Sequence, residues 1–315
     1  MSTILTVTLN PCVDHIAWTD HVELSHKIRA KRDQYSPGGG GINVAKAVHS
    51  LGGQTLAIFP VAGETGLLLT NLLEAEHIDQ QAIQMPGRTR VNANIFEEQG
   101  ECAYRIVMPG PNIPPDTLDQ IRKAVSDALS DASHLVISGS MPADMPPDFL
   151  ADLIHMAHKH DCPVIADTSG QALRQCLGHG LFMIKPNLRE LQLLTDNPLE
   201  DDRAIREAAQ QLAQQHKLQA VLVSLGTAGA LLATPERATR IHSPTVRVQS
   251  RIGAGDSTVA GFTVALSRNE SLPDAARYAV AAGAAAVMQP AMQLCNKKDA
   301  DELYKAIHAE EKLQH

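Results

Sequence analysis

The sequence predicts an α/β fold, a three-layer αβα sandwich with a mostly parallel central sheet. Its 315 residues, 44% hydrophobic and 20% charged, are enough for one large domain. Short apolar strands alternate with segments of helical periodicity, which is typical of a parallel sheet covered on both faces. Because no internal repeat and no linker rich in Pro or Gly divides the chain, residues 1–315 are expected to form one domain.

Six segments have the short, apolar character of buried strands and are bounded by turn residues. They are residues 4–9, 56–60, 135–138, 164–167, 182–184 and 221–225. Between many of them, apolar residues recur at three- and four-residue spacing. Leu118, Ile121, Val125 and Leu129 are an example, and they predict a helix with one buried face.

Two stretches break this alternation. In the second, VNANIF and CAYRIV flank the turn-prone residues 98–101, which predicts a β-hairpin. We expect segments of about 15–36 and 88–108 to form a small β-sheet lid outside the main sheet.

Composition excludes several classes of protein. With 27 Lys and Arg against 35 Asp and Glu, the net charge is −8, which disfavours a general nucleic-acid or acidic-membrane binder. The longest apolar run, residues 278–288, is too short for a membrane span. The N-terminus lacks a signal-peptide pattern, and the five cysteines form no CxxC pair. We therefore expect a cytoplasmic protein with reduced thiols.

The first chemically informative segment joins four glycines, residues 38–41, to an amphipathic helix containing Asn43. Glycines let a backbone approach a ligand closely, and a helix N-terminus presents unpaired N–H groups to polar oxygens. The Asn43 amide can donate and accept hydrogen bonds toward a polyol. We interpret this segment as part of a ligand site; a flexible loop before an ordinary helix is the alternative.

The second segment, RIGAGDSTVAG at residues 251–261, again places glycines before a helix and adds an acid at the helix start. The N–H groups of Ala254, Gly255 and Asp256 would form an anion hole for a transferring phosphoryl group. The Asp256 carboxylate would then take a proton from the attacking hydroxyl. A plain helix cap is the alternative function of Asp256.

Two smaller features are less specific. Asn187 and Glu190 lie one helical turn apart in KPNLRE, where they could hold a hydrated Mg²⁺ or could simply cap the helix. SLGTAG, residues 224–229, is suited to close passage of a nucleotide but is also common in hairpins. The sequence has no GxxxxGK[ST], and its GxG segment lacks the third glycine, which disfavours P-loop and Rossmann proteins.

Four motifs together carry a family resemblance: GGGGINVAKAV, KPNLRE, SLGTAGAL and GAGDSTVAGF. Their order and spacing resemble those of the ribokinase-like sugar kinases, and within these the phosphofructokinase B group. The likeness extends over nearly the whole chain. It implies a ribokinase-like αβα domain, a β lid that pairs with the lid of a second subunit in a homodimer, and ATP with Mg²⁺.

The resemblance also implies site residues by matching position. Asp256 would be the catalytic base, and Gly253, Ala254 and Gly255 would shape the anion hole. The substrate side would comprise Asp14, Gly39 and Asn43 for the sugar hydroxyls, and Lys27, Arg90, Arg105 and Ser140 for the phosphate already on the sugar. The nucleotide side would comprise Lys185, Asn187, Ser224, Gly226 and Gly229, with Glu190 acting through Mg²⁺.

Two departures from the family pattern bear on function. Residues 289–293, QPAMQ, replace a turn containing Asn and Gly near the monovalent-cation site. Pro290 removes a backbone donor and Ala291 resists positive φ, so K⁺ stays an open alternative beside Mg²⁺ and ATP. Gly40 stands where kinases of fructose 1-phosphate and tagatose 6-phosphate usually carry Lys, and it is expected to leave the site uncharged and roomier.

The function implied is ATP-dependent phosphorylation of fructose 6-phosphate to fructose 1,6-bisphosphate, a glycolytic reaction. Fructose 1-phosphate and tagatose 6-phosphate are the alternative substrates. A sensor that binds nucleotide or sugar phosphate without turnover is the alternative from another class, which an intact Asp256 and anion hole disfavour.

Overall fold

One nine-stranded sheet organises the protein, and the computed structural model describes residues 3–23, 26–99, 102–196, 198–290 and 292–313. In chain order the strands are β1 (Thr3–Val7), β2 (Cys12–Thr19), β3 (Arg32–Gly38), β4 (Thr55–Val61), β5 (Gln80–Gln84), β6 (Arg90–Glu97), β7 (Cys102–Ile106), β8 (Ala132–Ser138), β9 (Val164–Asp167), β10 (Met183–Ile184), β11 (Ala220–Ser224), β12 (Ala230–Ala233) and β13 (Ala238–Ile241). The helices are α1 (Gly40–Ser50), α2 (Gly63–Ala75), α3 (Pro115–Ala128), α4 (Phe149–His158), α5 (Gly170–Cys176), α6 (Leu188–Thr195), α7 (Asp202–Gln215), α8 (Ala254–Ser267), α9 (Leu272–Val287) and α10 (Lys297–Leu313).

The main sheet has the order β13-β12-β11-β10-β9-β8-β1-β4-β5 and is parallel except at β12 and β13. This confirms the predicted α/β class, and each of the six predicted strands is present with small shifts at its ends. Two further strands, β5 and β13, were not predicted, whereas β12 follows the SLGTAG segment, whose hairpin interpretation implies a strand on each side. The first reads QQAIQ, a largely polar strand at the sheet edge, so it lacks the apolar run that identifies a buried strand.

Two layers of helices cover the sheet because its strands point apolar residues to both faces. Leu5 and Val7 of β1 pack in the cluster that contains α3, α4 and α7. Ile4 points the other way, into the cluster formed with α1, α8 and α9. This alternation is the period of two expected for a strand buried on both sides.

The lid is a separate four-stranded sheet with the order β3-β2-β6-β7. The predicted hairpin is present as β6 and β7, while its tip at residues 100–101 lies outside the described residues. The first lid strand begins at Cys12, earlier than the expected boundary near residue 15, and β2 pairs in parallel with β6. That earlier start brings Asp14 into the lid, directly opposite Asn92.

In the parts of the chain that the structure describes, none of the helices combines the length and apolar character needed to cross a bilayer.

Candidate active site

A cavity of about 320 Å³ lies between the lid and the carboxyl ends of the parallel strands. Ligands bind at this edge of open α/β sheets because loops and helix N-termini meet there. Most of the substrate-side residues predicted from sequence line it, together with residues that were not predicted. The lining residues are Cys12, Asp14, Gly39, Gly40, Asn43, Arg90, Asn92, Arg105, Val107, Ser140, Ile252, Gly253, Gly255, Asp256 and Met292.

The start of α8 forms the floor of this cavity. Gly253 precedes the helix in the left-handed conformation, φ 78°, which glycine adopts without strain. The first intrahelical hydrogen bond runs from the Ser257 N–H to the Gly253 carbonyl. The N–H groups of residues 254–256 therefore have no acceptor within the helix, as the proposed anion hole requires.

Asp256 lies in the first turn of α8, where its side chain is partly buried at the edge of the cavity. Burial raises the pKa of its carboxyl group to about 7, and the nearby Asp167 carboxylate contributes in the same direction. The hydrogen bond from Asn43 opposes this rise, as do the charges of Lys185 and Arg105. A carboxylate with a pKa near the working pH is well matched to general-base catalysis.

Asn43, in the first turn of α1, donates a hydrogen bond from Nδ2 to Oδ2 of Asp256 at 2.8 Å. The N-termini of α1 and α8 thus meet at the cavity, although these two residues are far apart in the sequence. Asn43 was predicted to hold sugar hydroxyls; the structure adds that it orients the candidate base.

The four glycines before α1 are each needed for close packing rather than for flexibility. Gly39 has φ 114°, and a Cβ on Gly38 would lie 2.2 Å from Oδ2 of Asp14. A Cβ on Gly40 would lie 2.5 Å from the Gly139 nitrogen. The expectation that Gly40 leaves a roomier site is therefore wrong, because the backbone after β8 already fills that space.

Asp14 is held by two lid amides. Its Oδ1 accepts hydrogen bonds from Nδ2 of Asn92 at 2.9 Å and from Nδ2 of Asn94 at 3.2 Å. All three side chains are buried. Two donors on one oxygen fix the carboxylate plane and leave Oδ2 beside Gly38, at the cavity.

The two predicted phosphate-binding arginines differ in their contacts. Arg90 donates to the backbone carbonyls of Asn10 at 2.7 Å, Met108 at 3.1 Å and Pro11 at 3.4 Å. Much of its donor capacity is thus used to tie the lid to the loop after β1. Arg105 is exposed and donates from Nε to Oδ1 of Asn94 at 3.4 Å, so its terminal N–H groups can reach an anion.

Ser140 lies at the cavity, where its Oγ accepts a hydrogen bond from Nδ2 of Asn10 at 3.1 Å. Lys27, the remaining predicted phosphate ligand, is exposed on the lid and is not among the lining residues of this single chain. Ser140 thus lines the cavity whereas Lys27 does not, and a role for Lys27 in binding the substrate phosphate stays a prediction.

The nucleotide side begins at Lys185, which is buried and pairs with Asp167, with 3.1 Å between Nζ and Oδ1. Burial lowers the pKa of Lys185, but Asp167, Asp256 and Glu190 together raise it above its usual value. The amine is therefore charged. It also lies beside the anion hole, because a Cβ on Gly255 would be 3.5 Å from Nζ.

Asn187 and Glu190 form the capping box that the sequence left as one alternative. Asn187 Oδ1 accepts from the Glu190 N–H at 2.9 Å, and Glu190 Oε2 accepts from the Asn187 N–H at 2.8 Å. Asn187 is also bridged to Ser224 of β11. These residues therefore lie on the nucleotide side together, and a role for Glu190 toward Mg²⁺ stays a prediction.

The turn after Ser224 connects the antiparallel strands β11 and β12. Gly226 has φ 61° and open space where a side chain would be. Gly229 has φ 91°, and a Cβ there would lie 2.0 Å from the Ile241 carbonyl. Hairpin packing thus explains Gly229, whereas Gly226 leaves room beside the strand edge for a ligand.

In the segment that replaces the family's cation turn, Ala291 lies outside the described residues. Met292 lines the cavity and adopts φ 65°, a conformation uncommon for a residue with a side chain. The Gln293 N–H closes the turn on the Pro290 carbonyl at 3.1 Å.

Sequence reasoning missed Asp167, Asn92 and Asn94. Asp167 ends a predicted strand, and its position at the carboxyl edge of a parallel sheet was an available signal. The two asparagines alternate in VNANIF, so they share one face of a strand, and the neighbouring Val91, Ala93 and Ile95 on the other face are apolar. That pattern identifies a polar face but not what it binds.

Comparisons with known proteins bear on this site. The pfkB family carbohydrate kinase model matches residues 7–299. The ATP-dependent 6-phosphofructokinase isozyme 2 of Escherichia coli is 38% identical over 305 residues, which cover 96% of this chain and 98% of that protein. The crystal structure of Escherichia coli phosphofructokinase-2 with fructose-6-phosphate has a TM-score of 0.92 at 38% identity, covering 98% of this chain and 100% of that one. The structure of the same enzyme with potassium has a TM-score of 0.94, at the same identity and coverage.

Proposed function

The chain belongs to the pfkB family of carbohydrate kinases, and we propose that it transfers the γ-phosphoryl group of ATP to fructose 6-phosphate. The products are fructose 1,6-bisphosphate and ADP. The observation that carries the proposal is the position of Asp256, between an anion hole and a cavity lined by Asp14 and Arg105. Its raised pKa of about 7 suits proton acceptance during a transfer reaction, which a binding sensor does not need.

The reaction follows from these positions. The Asp256 carboxylate accepts the proton of the C1 hydroxyl while that oxygen attacks the γ-phosphorus, and the bond to the β-phosphate oxygen breaks. The N–H groups of residues 254–256 stabilise the charge on the transferring phosphoryl group. Lys185 adds a fixed positive charge next to them. Asn43 keeps the carboxylate oriented.

Mg²⁺ fits the oxygen donors on the nucleotide side. The negative charges of the Asp167 and Glu190 carboxylates both raise the pKa of Lys185. The buried Thr168 Oγ1 has no hydrogen-bond partner among the described residues. Mg²⁺ prefers such oxygen donors and keeps several ligands from water and phosphate. When bound, it would neutralise phosphate charge during transfer.

The phosphate on the substrate would be held opposite Asp256, at the lid. Arg105 has free guanidinium donors there, and Ser140 supplies a hydroxyl. A ketohexose with its phosphate on C6 then presents its C1 hydroxyl to Asp256. Gly40 has no side chain to place a cation beside the opposite end of the sugar.

The lid also supports a homodimer. The sheet face opposite Asp14 exposes three apolar side chains: Tyr35 is 45% exposed, Tyr104 44% and Ile106 50%. Strand pairing aligns Tyr104 with Ile95 and Ile106 with Ala93 on this face. Exposed apolar side chains gathered on one face favour a protein interface. We place the partner, a second copy of this chain, against it.

Cytoplasmic location is part of the proposal. Among the described residues, Cys12, Cys162, Cys176 and Cys295 are free and buried, which suits a reducing compartment.

A substrate panel tests the proposal by coupled ADP release at saturating Mg·ATP. We expect kcat/KM for fructose 6-phosphate to exceed that for fructose 1-phosphate by at least about tenfold, or roughly 1.4 kcal/mol of transition-state binding. Tagatose 6-phosphate and free fructose complete the panel. A preference for fructose 1-phosphate would overturn the substrate, and binding without ADP release would overturn the kinase assignment.

A further inference from the structure

Asn94 connects two groups of the substrate site that do not bond to each other. Its Nδ2 donates to Oδ1 of Asp14 at 3.2 Å, and its Oδ1 accepts from Nε of Arg105 at 3.4 Å. The strand register explains both contacts, since Asn94 lies directly opposite Arg105 on β7 and one pleat beyond Asp14 on β2. The side chain is 2% exposed and does not line the cavity.

Only a side chain with both a donor and an acceptor can make this connection. An ionised carboxylate only accepts hydrogen bonds, and a guanidinium only donates them. The Asn94 amide therefore has one possible orientation, with its nitrogen toward Asp14 and its oxygen toward Arg105. A rigid planar group with both ends engaged fixes the separation of its partners.

The neighbouring Asn92 makes different hydrogen bonds. Its amide nitrogen donates to Asp14 and to Sγ of Cys12, and its oxygen accepts from the Met108 N–H at 3.1 Å. Asn92 thus secures Asp14 to the backbone of the lid and itself lines the cavity. Among the described residues, only Asn94 hydrogen-bonds both to the carboxylate for the sugar hydroxyls and to the arginine for the phosphate.

We propose that Asn94 is a positioning residue that sets the distance between Asp14 and Arg105 and so selects sugar phosphates by the spacing of hydroxyl and phosphate. This inference rests on the proposed function, because it takes Asp14 and Arg105 as the two substrate-holding groups. It assigns specificity to a residue that does not touch the substrate.

The first test is Asn94→Leu, which keeps the side-chain size but removes both hydrogen bonds. We expect KM for fructose 6-phosphate to rise by about 5- to 50-fold, the usual effect of losing one or two buried polar contacts. Both kcat and KM for ATP should stay within about threefold, because the α8 side of the site is untouched. Gln34→Leu, an exposed amide on the same lid, is the matched control and should change neither KM.

A double-mutant cycle with Arg105→Ala distinguishes positioning from general support of the lid. If Asn94 acts through Arg105, adding Asn94→Leu to the Arg105→Ala variant should lower kcat/KM by less than about threefold. Effects that multiply fully in the double variant would overturn the proposal. So would an equal rise in both KM values.

A second variant, Asn94→Asp, guards against a folding defect in the first. The introduced carboxylate keeps an acceptor for Arg105, but it repels Asp14 instead of donating to it. Its KM for fructose 6-phosphate should therefore rise at least about threefold at pH 8, with kcat and KM for ATP within about threefold of wild type. An unchanged KM for fructose 6-phosphate would contradict the positioning role.

Calorimetric binding of fructose 6-phosphate separates this inference from the proposed function. If wild type binds the sugar phosphate but does not release ADP, the proposed function fails while the Asn94 comparison is still measurable as a change in Kd. If wild type turns over and Asn94→Leu matches it in Kd and KM, the inference alone fails.

Discussion

At the scale of single residues, the site depends on how burial changes the chemistry of ordinary groups. Asp256 is an acid whose pKa is raised to about 7 by burial and by Asp167. Lys185, which is buried, remains charged because carboxylates surround it. The same low-dielectric environment thus raises the pKa of the candidate base Asp256 and leaves Lys185 charged, because the neighbours of the two groups differ.

Asp256→Asn should lower kcat by roughly 10²–10⁴ while leaving substrate binding intact, because shape is kept and proton acceptance is lost. In wild type, kcat/KM should fall as pH drops through about 7, since the base acts only when deprotonated. The variant should lack this acidic limb. Retention of more than a tenth of kcat would rule out Asp256 as the base.

Asp256→Asn, which should lower kcat, should raise stability at pH 8. A carboxyl pKa raised by folding means that stability is fully present below the unfolded value, 3.8, and declines as pH rises toward 7. Asp256→Asn removes this penalty, so its Tm should exceed that of wild type at pH 8 and converge with it near pH 4. An unchanged Tm at pH 8 would argue against the raised pKa.

The two lid arginines should give different results when changed to alanine. Arg105→Ala should raise KM for the sugar phosphate by about 10- to 150-fold, the effect of losing a charge-assisted hydrogen bond, with little change in Tm. Arg90→Ala should also lower Tm, because three backbone carbonyls lose their donor. Steady-state kinetics measure the changes in KM, and thermal unfolding measures the changes in Tm. Identical Tm values for the two variants would refute this prediction.

At the scale of elements, the site is assembled where the N-termini of α1 and α8 meet at the edge of the sheet. Each helix follows a glycine with a positive φ, Gly39 at 114° before α1 and Gly253 at 78° before α8. Close contact between α1 and the turn after β8 holds the first helix in place. Small residues are required at that contact because backbone packs against backbone.

Gly40→Ala should therefore disturb α1 as a whole. The added Cβ would lie 2.5 Å from the Gly139 nitrogen and from Ser138 Oγ, so the helix start must shift. Overpacking of this kind costs about 1–3 kcal/mol of unfolding free energy. We expect kcat to fall as well, because Asn43 would move relative to Asp256. Chemical denaturation and kinetics test this, with His49→Ala on the exposed face of the same helix as control.

At the scale of the whole molecule, the lid sheet has two chemically different faces. One face points Asp14, Asn92 and Arg105 toward the cavity. The other exposes Tyr104 and Ile106. A sheet can have two such faces because alternate residues of each strand point to opposite sides.

Ile106→Asp should convert the proposed dimer into a monomer, because it places a charge beside the exposed Tyr104 on the lid edge strand β7. Light scattering after size exclusion measures the mass. Val248→Asp, a similarly exposed position outside the lid at 46% exposure, is the control and should remain dimeric. A wild-type protein that is monomeric at micromolar concentration would disprove pairing through the lid.

The sequence by itself determined the layers of the fold and the two glycine-to-helix junctions. Apolar periodicity and glycine position are local properties, so they can be identified without knowing the neighbours. The chemistry expected of Asp256 followed from its place after the glycines of GAGD. Strand β5 was not predicted, because an edge strand needs no run of apolar residues.

Only the tertiary structure decided which side chains meet. Asn43 bonds to Asp256 across 213 residues, and Asn94 bonds to Asp14 across 80. Such pairs depend on strand order and register, which no local pattern encodes. The same holds for Gly40: its neighbour Gly139 is brought there by the pairing of β1 with β8. Space around a residue is a property of distant segments, and so the sequence predicted an open site where the fold places backbone.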